Sequence, residues 1–347
     1  MSADTPSAGP LAWLRDRLGW TAISSSLAEH RAPRRSFIFY LGGITGFLLL
    51  LQILSGVLLT VYYRPDAAQA HESVERIVGE ISYGHLIRAV HAWSADLFIA
   101  SLLLHLFTVL ARRSYRPPQE LSWLSGLVLL VLGLGLAFTG AILPWSQRAY
   151  TDARVGSEFA HYFPVIGVWL QHLMRGGDEV TSNTLAHAFG FHVAVLPAAV
   201  TAIVGAHFFV LSRKPPGKVD AAKTDAIPLY PDFFVRQAVA MTGVLVVVLT
   251  LATFVDRPLG PAADSRLPSP PGALPPWYFL PAHAIVRAAP KELLGIEGPR
   301  FLIGAACLLL IGIAALPFID RRGSRLTAGL AWVLLLSFIL LSIRALY

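Results

Sequence analysis

Cysteine is almost absent from this sequence, since Cys307 is the single cysteine among 347 residues. One thiol excludes an intrachain disulfide and an iron–sulfur cluster held by cysteines of this chain alone. Charged residues are also scarce, at 14%, whereas hydrophobic residues make up 55%. A water-soluble domain with that balance would expose too much apolar surface. The lipid bilayer is therefore the expected solvent.

Motifs of several common protein classes are missing as well. The sequence has no phosphate-binding loop, nucleophile triad pattern, zinc-ligand spacing or nucleic-acid-binding motif. Its basic loops indicate membrane topology next to anionic lipid and not a nucleic-acid surface. No nucleic-acid partner is expected.

Long apolar runs dominate what remains. About 20 residues at a rise of about 1.5 Å are needed to cross about 30 Å of hydrocarbon. Seven runs of suitable length lie near residues 37–61, 84–110, 121–143, 185–212, 233–255, 300–319 and 326–345. We predict an all-α integral membrane protein of seven spans, with a four-helix bundle domain at 37–213 and a three-helix C-terminal domain at 214–347. The amphipathic pattern of residues 1–36 predicts either a helix on the membrane surface or a lead-in without a function of its own.

The loops between these spans divide by charge. Sixteen of the 28 Lys and Arg residues lie before the first span and around the loops after spans two, four and six. The positive-inside rule places those loops in the cytoplasm. We expect a bacterial-type inner (plasma) membrane protein with a cytoplasmic N-terminus. The outer loops at 144–184 and 256–299 are long, which indicates that the working surface faces outward.

Four of the eleven histidines lie deep inside predicted spans, His91 and His105 in the second and His192 and His207 in the fourth. Fourteen residues turn a helix by about 1,400°, about 40° short of four turns, and fifteen residues pass four turns by about 60°. Each span therefore presents two histidines on one face, about 20 Å apart in depth. Because the two spans run in the same direction, the upper histidines meet each other and so do the lower ones.

Paired neutral imidazoles at two depths are typical of axial ligands to haem iron in a helical bundle. A lone histidine in a membrane helix is as often a packing or proton-path residue, but two pairs in register favour two haem sites. With one cysteine, any haem is held without thioether bonds. Two glycine pairs repeat the 14-residue interval and predict backbone clearance for both haems, Gly42 and Gly56 in the first span and Gly126 and Gly140 in the third.

Eight short motifs occur in order along the chain. They are LGGIT at 41–45, QILSG at 52–56, YYRP at 62–65, RAVHAWSA at 88–95, PQELSW at 118–123, LPWSQ at 143–147, FHVAVLP at 191–197 and PWYFLP at 276–281. This series resembles the cytochrome b subunit of quinol:cytochrome c and plastoquinol oxidoreductase complexes, over roughly residues 30–300. The first four spans resemble the short chloroplast-type cytochrome b, and the last three resemble its separate small subunit, here fused.

The resemblance implies two non-covalent b-type haems. It pairs His91 with His192 on the outer haem and His105 with His207 on the inner haem, in agreement with the helical geometry. Arg88 is the implied partner of an outer haem propionate.

The resemblance also implies a function. Quinol would be oxidised at an outer pocket, one electron passing to a separate Rieske iron–sulfur protein and a c-type cytochrome or other high-potential acceptor. The other electron would cross both haems to an inner quinone site, and the complex would be a homodimer. The implied pocket is formed by residues 144–160 and 275–286, and its candidate catalytic residues are Pro276, Trp277, Tyr278 and His283.

One departure from the family concerns the outer proton acceptor. Where the family usually has a glutamate before Trp-Tyr, this chain has Pro276, which can neither hydrogen-bond quinol nor accept its proton. Tyr278 remains as a hydrogen-bonding group. His283, with an ordinary pKa near 6.5, or a loop carboxylate such as Glu158 are the alternatives, and the sequence does not choose among them.

Other departures lie elsewhere. At the inner side Gln237 stands where the family has a quinone-contacting aspartate, and Ala92 follows a ligand histidine where many members have arginine. Asp96 has no counterpart role, and an ionised carboxylate in hydrocarbon is costly, so it is expected to be protonated or to face an internal partner.

These departures leave two alternatives open. The first is a diverged dihaem electron conduit that does not bifurcate quinol electrons. The second, from another class, is a haem-free transporter or channel, which predicts no haem spectrum and no loss of function when His91 or His192 is replaced.

Overall fold

The computed structural model describes residues 31–33, 40–212, 226–322 and 324–347. The surface helix expected within residues 1–36 lies outside the described residues. Of that range, the structure describes only a short strand. That strand, β1 at Arg31–Pro33, pairs antiparallel with β2 at Ala226–Pro228. The pairing brings the segment before the first span beside the segment before the fifth.

Helices make up most of the described chain. In order they are α1 Leu41–Thr60, α2 Ala70–Gly79, α3 Gly84–Ala111, α4 Glu120–Ile142, α5 Gln147–His161, α6 Gly167–Arg175, α7 Ser182–Gly190, α8 Leu196–Ser212, α9 Phe234–Phe254, α10 Leu280–Arg287, α11 Gly298–Ala314, α12 Leu316–Ile319 and α13 Arg325–Leu346. A short hairpin of β3 Glu292–Leu293 and β4 Ile296–Glu297 precedes α11. Six helices in the described part are long and apolar enough to cross a membrane, α1, α3, α4, the continuous α7–α8, α9 with its preceding turn, and α13. The expected all-α membrane architecture is confirmed.

The sixth expected span is shorter than the sequence predicted. The run at 300–319 forms α11, of 17 residues, and then the separate short helix α12. The break follows from Pro317, which has no N–H to bond the carbonyl of Ile313 and so cannot continue α11. That carbonyl instead accepts a hydrogen bond from the Trp123 indole at 3.0 Å. The bond ties α11 to α4.

The long outer loop expected at 144–184 is largely helical. It contains α5 and α6, and α5 begins where the Ser146 hydroxyl accepts a bond from the Ala149 N–H at 3.3 Å. Both helices are short and amphipathic, so a search for long apolar runs does not find them. The loop at 256–276 contains no helix among the described residues.

The fourth span contains a π-helical turn at Phe191–Val195, between α7 and α8. The N–H of Leu196 bonds the carbonyl of Phe191, five residues back. Pro197 explains the wide turn, because it cannot donate to Val193 and its ring would crowd that carbonyl in a regular helix. A π-helical turn contains more residues than an α-helical turn. It therefore reduces the angle by which His192 and His207, 15 residues apart, are offset around the helix axis.

The bundle core lies between α1 and α3, which pack along each other, while α4 packs along α8. Leu48, Ile99 and Leu102 are buried there, and Thr45 hydrogen-bonds Ser101 across the same interface at 3.0 Å. Apolar side chains on the outer surfaces of the spans are exposed, as lipid-facing positions require. The packing places the histidine-bearing helix α3 against α1 and the histidine-bearing α7–α8 against α4.

Candidate functional site

The upper pair of histidines meets as the sequence predicted. The ring centroids of His91 and His192 lie 6.2 Å apart. The Nδ1 atom of His91 lies 2.9 Å from the Ser55 hydroxyl. His192 engages the Leu136 carbonyl and the Thr139 hydroxyl through Nδ1, at 3.0 and 3.2 Å. Hydrogen bonding at Nδ1 is how proteins usually orient a histidine that ligates a metal through Nε2.

The lower pair lies deeper along the same helices. His105 and His207 are close enough to interact electrostatically. Nδ1 of His207 lies 2.8 Å from the Ser125 hydroxyl, so α4 orients this ring as it orients His192. Nδ1 of His105 is buried and has no hydrogen-bond partner among the described residues.

Each of the four predicted glycines lies against one of the four histidine rings. A Cβ atom at Gly56 would lie 3.2 Å from Cε1 of His91, and one at Gly42 would lie 3.3 Å from Cε1 of His105. On α4, a Cβ at Gly140 would lie 2.6 Å from Cε1 of His192, and one at Gly126 would lie 3.7 Å from Cε1 of His207. The glycine spacing predicted room for the two haems. In the structure, the atoms nearest to these glycines are those of the imidazole rings. On α1 and α3 the glycines and the histidines share a 14-residue interval because each glycine faces one ring. On α4 the glycines are 14 residues apart and face histidines that are 15 apart.

The donor set fits haem better than a bare metal ion. An iron with an imidazole on each side, at metal–nitrogen bonds of about 2 Å, separates the two ring centroids by about 6 Å, as the upper pair shows. In the described part of the chain no three His, Cys, Asp or Glu side chains converge as ligands. Two histidines per site therefore suit a metal whose other ligands come from a macrocycle.

A cavity of about 750 Å³ extends from the upper histidines to the outer loops. Its wall includes His91 and His192 at one end and Asp152, Pro276 and Tyr278 at the other. Residues from the two ranges predicted for the outer pocket, 144–160 and 275–286, thus line one space. This volume is in the range of ligand pockets.

The loop side of the cavity is held in place by hydrogen bonds to α5. The Arg148 guanidinium donates to the Leu274 carbonyl at 2.8 Å. The Gln147 side chain accepts from the Asp264 N–H at 2.7 Å. These bonds join the loop preceding Pro276 to the segment that follows α4, so both walls of the cavity are positioned together.

Asp96 has an internal partner, as its cost in hydrocarbon required. Its carboxylate forms an ion pair with Arg257 and accepts a hydrogen bond from the Trp277 indole at 3.2 Å. The Arg257 guanidinium also lies 3.7 Å from the centre of the Trp93 ring, a cation–π contact. Arg88 donates to the Arg257 carbonyl at 2.7 Å. Asp96 therefore fixes the Trp-Tyr segment against α3.

Tyr278 and Asp152, on the cavity wall, have shifted pKa values. Burial raises the pKa of Tyr278, and the negative charges of Asp96 and Asp152 raise it further. The phenol therefore stays protonated and remains a hydrogen-bond donor at neutral pH. Burial raises the pKa of Asp152 to about 6, although the positive charge of Arg148 opposes the shift.

The remaining candidates lie away from the cavity wall. His283, on α10, is not part of the wall; burial lowers its pKa, with Arg287 acting in the same direction. Glu158 accepts bonds from Arg175 and Gln171, at 2.9 and 3.0 Å, and does not line the cavity either.

Sequence reasoning did not single out Asp152 or Arg257. Asp152 falls inside the predicted range 144–160, and its position four residues after Arg148 in an amphipathic segment was the available signal. Nothing in the sequence pairs Arg257 with Asp96, because 161 residues separate them.

At the inner end, Gln237 is buried beside Gly43. A Cβ at Gly43 would lie 2.6 Å from Cδ of Gln237, and the Gln237 amide donates to the Tyr40 carbonyl at 3.4 Å. The glutamine therefore joins α9 to the start of α1.

Fold and site together define a class, that of multi-pass membrane proteins with paired histidines on facing helices of a bundle, an arrangement suited to haem and electron transfer. The chain belongs to the cytochrome b family. The family model for cytochrome b/b6/petB matches residues 28–215, and the one for cytochrome b(C-terminal)/b6/petD matches residues 262–346. The resemblance drawn from the motifs is confirmed, and the chain is a cytochrome b subunit of a bc-type complex.

Known relatives match between 58% and 96% of this chain. The cytochrome bc complex cytochrome b subunit of Chlorobaculum thiosulfatiphilum is 35% identical over 96% of this chain and 80% of that protein. The menaquinol:cytochrome c reductase cytochrome b subunit of Geobacillus thermodenitrificans is 36% identical over 58% of this chain and 94% of its own length. A solved structure titled hyperthermophilic respiratory Complex III matches with a TM-score of 0.82 and 25% identity, covering 95% of this chain and 90% of that one.

Proposed function

We propose that this subunit binds two b-type haems and oxidises quinol in the outer cavity. His91 and His192 ligate the outer haem, and His105 and His207 ligate the inner one. When bound, the haems supply one-electron carriers at two depths of the membrane. Family membership, the 6.2 Å separation of the upper rings and the glycine clearance at every ligand support this proposal.

The observation that carries the quinol part of the proposal is the continuity of the cavity. One space reaches from His91 and His192 to Trp277 and Tyr278. A quinol bound at the outer end therefore lies beside the ligands of the outer electron carrier. We assign the Tyr278 hydroxyl, which stays protonated, as the donor to a quinol or quinone oxygen. The hydrogen bond from the Trp277 indole to Asp96 holds the neighbouring Trp277 in position. Arg88 lines the same cavity and is assigned to a haem propionate.

The remaining assignments complete this proposal. Gln237 and its surroundings form the inner quinone site, where electrons leave the chain. The outer acceptor is a separate Rieske iron–sulfur protein that feeds a c-type cytochrome, and the complex is a homodimer in a bacterial inner membrane with cytoplasmic N-termini. The relative from Geobacillus is named as a menaquinol:cytochrome c reductase subunit, which makes menaquinol the first substrate to test.

The test compares two histidine variants of the purified complex. His91→Ala removes one of the two histidines that would hold the outer haem, so haem content is expected to fall from two to one per chain and quinol:cytochrome c activity to disappear. His85→Ala, at the exposed start of the same helix, is the matched control and keeps both. The measurements are haem quantitation, a dithionite-minus-oxidised spectrum and steady-state reduction of cytochrome c.

Each contrary outcome points to a different function. Two haems without quinol oxidation in the wild-type complex would indicate a diverged dihaem conduit. A wild-type complex without haem, together with an unaffected His91→Ala variant, would indicate the transporter.

A further inference from the structure

The outer cavity contains two carboxylates among the described residues of its wall, Asp96 and Asp152. Pro276 stands on the same wall and offers no group that can accept a proton. Removing two electrons from quinol also releases two protons. A proton acceptor in or beside the cavity is therefore required if quinol is oxidised there.

Asp96 is poorly suited to that role because its carboxylate is already occupied. It forms an ion pair with Arg257 and accepts a bond from the Trp277 indole. Protonating it would remove the negative partner of a guanidinium that is only 33% exposed, which costs free energy. Asp96 acts as a positioning residue for Trp277.

Asp152 is differently placed. Its side chain is 13% exposed, and its nearest cationic partner, the guanidinium of Arg148, lies 3.9 Å away and is 59% exposed. That guanidinium already donates to the Leu274 carbonyl. Asp152 is thus a mostly buried carboxylate on the cavity wall, and among the described residues no ion pair closer than 3.9 Å holds it ionised.

We propose that Asp152 is a catalytic residue that accepts a proton from quinol in the outer cavity and so replaces the proton acceptor missing at Pro276. The proposal rests on the proposed function. In the step, the O–H bond of one quinol hydroxyl breaks and an O–H bond forms on the Asp152 carboxylate. The second proton leaves toward the external high-potential iron–sulfur protein. The two electrons leave to one-electron acceptors, one to that protein and one to the path across the membrane, and the product is quinone.

The surroundings of Asp152 support a proton acceptor that works near neutral pH. Its pKa of about 6 leaves it mostly ionised at pH 7 yet basic enough to take a proton. The other charged or titratable groups on the cavity wall, besides the two ligand histidines, are Arg148, Tyr278, Asp96, Arg257, Arg88 and Tyr63. Tyr278 has a raised pKa, so the phenol does not compete for the proton.

The experiment measures quinol:cytochrome c activity of the purified complex, with a menaquinol analogue as substrate, from pH 5 to pH 8. In the wild type, kcat is expected to rise with pH along a limb centred near 6. Asp152→Asn is expected to lower kcat by about 100-fold, to leave KM and haem content nearly unchanged, and to abolish that limb. Asp152→Glu keeps the carboxylate and is expected to retain the limb with part of the activity.

Two further variants sharpen the test. Asp178→Asn removes an exposed carboxylate whose side chain is 90% accessible, and it is expected to behave as wild type. Adding Pro276→Glu to Asp152→Asn places a carboxylate on the same cavity wall and is expected to restore at least part of kcat.

The outcomes separate this inference from the proposed function. A wild-type complex that does not oxidise quinol overturns the proposed function itself. If the wild type oxidises quinol and Asp152→Asn keeps its kcat and its pH limb, Asp152 is not the proton acceptor. A loss of activity in Asp152→Asn that Asp152→Glu and Pro276→Glu both fail to relieve, with full haem content, also overturns the inference, because it indicates a steric role.

Discussion

Gly126 and Gly140 lie on the same helix, α4, and face the lower and upper histidines of the fourth span. Replacing each by alanine adds one methyl group at two very different distances from its ring. At Gly140 the new Cβ would lie 2.6 Å from Cε1 of His192, whereas at Gly126 it would lie 3.7 Å from Cε1 of His207. Carbon atoms pack at about 3.5–4.0 Å, so alanine overlaps the ring at the first site by about 1 Å and fits at the second.

The His192 ring cannot retreat without loss. Its Nδ1 atom bonds Leu136 and Thr139, which lie on the same helix as Gly140. A movement of about 1 Å breaks the one hydrogen bond that the Nδ1 hydrogen makes, at about 1 kcal/mol, and overpacking adds about 1–3 kcal/mol, so the total is about 2–4 kcal/mol. Since about 1.4 kcal/mol corresponds to tenfold in a binding constant, Gly140→Ala is expected to weaken the outer haem site by roughly 30- to 1,000-fold. Gly126→Ala is expected to change the inner site little.

The assay is haem content per chain with a reduced-minus-oxidised spectrum of each purified variant. Gly140→Ala is expected to lose one haem or shift its band, while Gly126→Ala retains both. Equal haem content and identical spectra for the two variants would refute the reasoning that the close glycine contact positions His192.

Two further perturbations test how the site is built. Arg257→Gln removes the charge partner of Asp96 and loosens Trp277, so the KM for quinol is expected to rise severalfold while haem content stays constant; an unchanged KM would show that the ion pair does not shape the cavity. Pro197→Ala restores an N–H that can bond Val193, so the π-helical turn is expected to tighten and to shift the midpoint potential of one haem in a redox titration. An unchanged titration curve would mean that the turn has another cause.

The helical histidine register could be read from the sequence because it is a local property. Rotation per residue is the same along a regular helix, so an interval of 14 residues defines a shared face before any packing is known. The glycine intervals were informative for the same reason. Which glycine meets which histidine depends on how α1 packs on α3 and α4 on α8, and the structure supplied that pairing.

The outer proton acceptor shows where sequence reasoning stopped. Tyr278, His283 and Glu158 were open alternatives because loop residues carry no periodic signal. In the structure Tyr278 lines the cavity, whereas His283 and Glu158 do not. Asp152 reaches the cavity because α5 packs against the loop before Pro276, a contact between segments distant in the sequence.

Taken by itself, the sequence determined that the chain spans a membrane, that its helices carry two histidine pairs in register, and that it resembles cytochrome b. Those properties depend on composition, on the constant geometry of an α-helix and on contiguous motifs. Only the tertiary structure decided which glycine faces which histidine, the Asp96–Arg257 pair and the position of Asp152 on the cavity wall. Most of these features depend on contacts between residues far apart in the chain, and such contacts are set by packing that no local pattern encodes.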